Sequence, residues 1–86
     1  MAIEVRKPTP EENREARSWP VWTKEPSSFD WEYDRKETCL ILEGNATVEA
    51  EGDAVRFGAG DWVVFPQGLR CVWNISEGIR KYYKFR

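Results

Sequence analysis

Glu37 opens the apolar run Glu37-Thr38-Cys39-Leu40-Ile41-Leu42. With a period of two it shares a face with Cys39 and Ile41. If that face points inward, a carboxylate sits in an apolar, aromatic-lined cavity, where burial favours its neutral form and suits a general acid or base. The competing outcome is a satisfied structural carboxylate, paired with Arg70, Arg80 or Lys81. Cys71 follows a Pro/Gly turn and stands beside Arg70, a cation able to lower a thiol pKa and make a nucleophile. A silent core thiol is the alternative. Glu37 and Cys71 are therefore the candidate catalytic groups. Cys39 falls on the Glu37 face, where it can lie near Cys71 and the barrel mouth.

Aromatic side chains surround these groups. Phe29, Trp31 and Tyr33 alternate with Asp30, Glu32 and Asp34, so one face of a strand is aromatic and the other wet. With Trp73 and Tyr82 they can wall a barrel opening that suits a small organic ligand such as a sugar or a ureide. They can equally fill the core of a small protein. Arg80 and Lys81 either hold an anionic group of such a ligand or stay solvated. The ligand-binding candidates are thus Trp31, Tyr33, Cys39, Trp73, Arg80 and Tyr82. The chain has no histidine, which removes the commonest general base and the commonest metal ligand together. No residue is assigned to a metal, and no cofactor is expected.

Short strands must position these residues. Trp62-Val63-Val64-Phe65 is apolar on both faces and reads as a strand buried on both sides. Pro66-Gln67-Gly68 ends it, and Cys71 to Ile75 begins another. Glu37 to Gly44 reads as a strand closed by a glycine turn, with Asn45 to Ala50 returning antiparallel. Glu51-Gly52-Asp53 predicts a tight hairpin into Ala54 to Phe57, and Ile79 to Arg86 forms a last strand. Upstream, Ala2 to Arg6 is a short edge strand. Thr9 caps a surface helix of about two turns, with Pro10 in its first position and Glu12 completing a capping box. Trp19-Pro20-Val21-Trp22 reads as a plug over one open end of a barrel, or else as a dimer contact or one wall of a pocket. Lys24 to Ser28 is a polar loop. Eight or nine strands with Gly or Pro at the turns predict an all-β sandwich or closed barrel.

The 86 residues make one domain, with a motif-bearing core at about 29–86 and an N-terminal segment at 1–28. Thirteen basic against 15 acidic residues give a net charge of −2, which offers nucleic acid no basic field. No apolar run is long enough to span a membrane, and the N-terminus lacks the apolar core of a signal peptide. Two cysteines make no disulfide framework, so a cytoplasmic setting is expected.

The run Gly60-x5-Pro66-x-Gly68-x2-Cys71 resembles the second cupin motif, G-x5-P-x-G-x2-H-x3-N. Cys71 stands where that motif has histidine, and Asn74 falls one residue short of its asparagine. Glu37-x6-Gly44 resembles the end of the first motif, whose H-x-H pair would fall on Asp30 and Glu32. The similarity runs from about Trp19 to Phe85. The segments ETCLILEG, FGAGDWVVFPQGL and IRKYYKF are similar to the small proteins grouped with the cupin domain of (S)-ureidoglycine aminohydrolase. This resemblance implies a cupin-type double-stranded β-helix, a jelly-roll barrel with one short N-terminal helix. It places Glu37 at a metal-ligand position and Cys71 at another.

The first functional expectation is a metal-free cupin that binds a small polar organic molecule in the barrel. Glu37 would be its polar anchor, with Cys71, Tyr33, Trp31 and Trp73 around it. The second is a hydrolase or aminohydrolase of the ureidoglycine type, implied by the resemblance and dependent on a divalent metal. The third is a non-catalytic homodimeric interaction module using exposed strands and Trp19 to Trp22.

Overall fold

The computed structural model describes residues 2–85. In chain order they form β1 (Glu4–Arg6), α1 (Pro10–Ala16), β2 (Val21–Lys24), β3 (Ser27–Glu32), β4 (Glu37–Ala50), β5 (Asp53–Gly58), β6 (Trp62–Phe65) and β7 (Arg70–Phe85). All strand pairs are antiparallel, in one seven-stranded sheet ordered β1-β6-β4-β7-β2, with β5 also on β4 and β3 also on β7.

Two long strands make this sheet a barrel. The first part of β4 pairs with β6 and its last part with β5. The first part of β7 pairs with β3 and its last part with β2. Each long strand therefore belongs to both walls of a jelly roll, and the bend between its halves closes the core. The pairing of β4 with β7 slips at several steps between Ile41 and Ala46, the signature of bulges.

This differs from the expectation of a turn at Gly44. The backbone there adopts φ +95°, and a Cβ would run into the carbonyl oxygen of Gly78 and lie 2.7 Å from that of Glu77. Glycine lets two bent strands touch rather than ending one of them. For the same reason Cys71 to Ile75 and the segment from Ile79 are one strand, and the count is seven rather than eight or nine. Glu51 and Gly52, at φ 53° and 82°, form the two-residue turn that joins Ala50 to its partner Asp53.

β6 is buried on both sides, as its composition requires. Val63 and Phe65 face the barrel core with Ile41, Leu69 and Trp73. Trp62 faces outward beneath Trp19, with ring centroids 5.5 Å apart. α1 is held there by its one buried residue, Ala16, and begins with the expected capping box between Thr9 and Glu12. The segment after Trp19 is not a plug. Val21 to Lys24 is a strand hydrogen-bonded to β7, and the expected loop shrinks to a short link before Ser27.

Candidate functional site

Residues directly opposite in an antiparallel pair point to the same face. Ile41 lies opposite Lys81, Cys39 opposite Tyr83, and Glu37 opposite Phe85. The inward face of β4 therefore brings Lys81, Tyr83 and Phe85 to the side of Glu37. β2 adds Trp22, opposite Lys81, and β3 adds Phe29, opposite Trp73. Together with Trp31 and Tyr33 they enclose a pocket of about 290 Å³ inside one end of the barrel.

Its polar end is an ion pair. Lys81 Nζ donates to both carboxylate oxygens of Glu37, at 3.2 and 3.1 Å. Each side chain is only 5% exposed. The ammonium also lies 4.7 Å from the ring centre of Trp22 and 4.8 Å from that of Trp73. A carboxylate on one side and two indole faces on the others stabilise the cation. Tyr33 adds a hydroxyl that accepts from Trp73 Nε1 at 3.2 Å. Burial, with the Glu37 carboxylate adding to it, raises the pKa of that hydroxyl, so it keeps its proton.

A wider depression of about 890 Å³ lies on the outside of β3 and β7, along the Glu51–Gly52 turn. Its acidic wall, including Asp30, Glu32, Glu49 and Asp53, is solvent-exposed, unlike Lys81 and Glu37, and of its lining Cys71 is buried.

The family model for the EutQ-like cupin domain matches residues 11–83. The chain belongs to that family. A DUF861-family crystal structure from Thermotoga maritima is 46% identical, covers 99% of this cupin and 100% of its own chain, and superposes with a TM-score of 0.95. A protein of unknown function (DUF1255) from Acidithiobacillus ferrooxidans is 25% identical over 72% of this chain and 60% of its own, with a TM-score of 0.68. The Clostridium difficile EutQ protein shares the fold at 18% identity and a TM-score of 0.70, over 76% of this chain and 52% of its own. No curated protein matches the chain.

A cupin fold raises the question of a metal at Glu37. The donor set here does not fit one. The sequence holds no imidazole. Glu37 is already bound by a cation that is part of the chain. Cys71 stays a thiol because burial, followed by the Glu37 charge, pushes its pKa up to about 11. Asp30 and Glu32 are exposed on β3, and Glu32 pairs with Arg70 at 3.5 Å. Among the described residues, no three His, Cys, Asp or Glu side chains converge on a metal position.

The structure brings Glu37, Trp31, Tyr33 and Trp73 together at the pocket. Cys39 is fully buried on the Glu37 face; burial pushes its thiol up to about 12, and Sγ donates to Val63 O. Cys71 borders the outer depression, its thiol turned to Trp31 O, while Arg70 projects into solvent. The activating cation expected beside that thiol is therefore screened by water. Both cysteines are free. Arg80 and Tyr82 lie on the opposite face of β7 from the pocket. Arg80 pairs with Glu43, and Tyr82 packs on the outer cluster of Leu40 and Trp62. The residues this strand contributes are instead Lys81, Tyr83 and Phe85. The segment's own composition does not orient it, but alternation carried from buried Trp73 and Ile75 through Gly78 selects them. Trp22 was visible only as one option for its segment.

Proposed function

We propose that this cupin binds a small polar organic molecule in the aromatic end of its barrel without a metal ion. The observation that carries the reading is the buried Glu37–Lys81 pair inside an otherwise aromatic pocket. Ligand pockets are mostly apolar with a few placed polar groups, and about 300 Å³ is the small end of their range. Glu37 is the polar anchor, fixed in place by Lys81. Trp22, Trp31, Tyr33 and Trp73 supply contact area. The thiols take no part as nucleophiles, since both keep their protons at neutral pH. A cytoplasmic protein with a small-molecule partner is the matching setting.

The aminohydrolase reading requires a divalent metal, and the poor fit of the donor set counts against it. A homodimer is compatible with binding, because Val21 and Trp31 remain 44% and 49% exposed near the pocket strands. Metal analysis of protein purified without chelator, followed by thermal shifts with small organic molecules and with Mn²⁺, Zn²⁺, Fe²⁺ and Ni²⁺, tests the proposal. The expected result is no near-stoichiometric metal and a concentration-dependent stabilisation by organic molecules. Near-stoichiometric metal, or a metal-induced shift lost in Glu37→Gln, overturns it and restores the aminohydrolase.

A further inference from the structure

We infer that the pocket selects an uncharged flat molecule whose polar edge sets a hydrogen-bond acceptor beside a donor, as in a ring-borne carboxamide or a lactam. This rests on the proposed binding function and narrows it to a ligand class.

Charge comes first. Glu37 and Lys81 cancel, and both are shut off from water. A ligand carrying one net charge would leave that charge uncompensated in the same enclosure, which is costly. A neutral ligand leaves the pair balanced.

The unused hydrogen-bonding capacity then sets the edge. An ammonium has three donors and a carboxylate about four acceptor sites. Among the described residues, Lys81 is the one side chain that donates to the Glu37 carboxylate, so acceptor sites remain on Glu37. Tyr33 Oη accepts from Trp73 and passes its own proton to no described residue. The pocket therefore offers donors from Lys81 and Tyr33 beside an acceptor from Glu37. Its complement is a carbonyl oxygen next to an N–H, the edge of an amide. A carboxylate lacks the N–H and faces Glu37 with like charge. An amine or amidinium lacks the acceptor and faces Lys81.

The walls select shape. Phe29 and Trp73 stack on each other, parallel to within 7°, which leaves the rings of Trp22, Phe29, Trp31 and Tyr83 at least partly exposed to the pocket. Such faces take a planar ring by stacking and edge contact.

Benzamide, benzoate, benzamidine and acetophenone differ by one group and separate these features. Binding to the full chain is read by tryptophan fluorescence and by ligand-observed NMR. Benzamide is expected to bind at least about tenfold tighter than the other three. Glu37→Gln is expected to move the preference to benzoate, and Lys81→Met to benzamidine, with circular dichroism confirming that each variant is folded. If the variants do not fold, the wild-type ranking decides alone. Benzoate, benzamidine or acetophenone matching benzamide on the wild type overturns the inference and leaves the binding proposal standing. Silence from all four also overturns it, whereas the binding proposal falls only if the broader thermal-shift screen is silent too.

Discussion

Lys81 reaches Glu37 from a position four residues out of register. Its direct partner on β4 is Ile41, and Glu37 lies opposite Phe85. The lysine side chain runs along the inside of the barrel to make both contacts near 3.1 Å. The pair therefore ties two points on two different strands, and its removal should be felt by the fold as well as by the pocket.

Breaking one half leaves a buried charge without its partner. Glu37→Gln and Lys81→Met should each cost about 3–5 kcal/mol in urea denaturation. The double replacement Glu37→Leu with Lys81→Met should recover most of that loss. A double variant no more stable than the singles would show that the pair is not the source of the cost.

The thiols give a pH dependence with a defined sign. The ordinary thiol value is 9.0, and burial raises Cys71 to about 11 and Cys39 to about 12. Unfolded chains release these protons first, so the stability from neutral thiols is complete below pH about 9 and fades as pH rises towards 12. Native protein at pH 8 should react with a thiol reagent far more slowly than denatured protein. Rapid labelling of Cys71 at pH 8 would contradict this environment.

Gly44 and Gly52 both have positive φ, but only Gly44 is crowded. Gly52→Ala should cost about 1–2 kcal/mol from its backbone conformation alone. Gly44→Ala must also push the Gly78 carbonyl away, so it should be much worse. Melting temperatures of the two variants compare them directly. Equal losses would mean that the contact between the bent strands is loose.

The helix start is capped locally and tied to β1 by the Arg6–Glu12 ion pair. Thr9 accepts from the Glu12 backbone at 3.2 Å, and Glu12 accepts from the Thr9 backbone at 2.9 Å. Thr9→Ala should cost about 1 kcal/mol and leave ligand binding unchanged, because α1 packs on the outer face. A larger loss would mean that the helix orders the sheet beneath it.

The motif glycines and prolines, the alternation of β3, the doubly apolar β6 and the capping box all made the fold legible. Each is a local pattern whose cause lies within a few residues. Glu37, Trp31, Tyr33 and Trp73, which line the candidate pocket, were legible as candidates on the same basis. The choice between Arg80 and Lys81, or between Tyr82 and Tyr83, was not. The segment Arg80 to Phe85 puts bulky and basic groups on both faces, so composition cannot orient it. Its face is set by pairing with β4, across bulges that arise where Gly44 meets Gly78. That contact joins residues far apart in sequence and leaves no local trace except two glycines, which read more simply as turns.

The length of β4 and β7 has a consequence for the order of events. Glu37 and Lys81 are separated by most of the motif-bearing chain, and only the pairing of these two strands brings them together. Contacts of such sequence separation form slowly, because a long loop must close first. If that pairing completes late, the pocket exists only after the folding barrier has been crossed. An occupant of the pocket would then lengthen the lifetime of the folded molecule without hastening its formation.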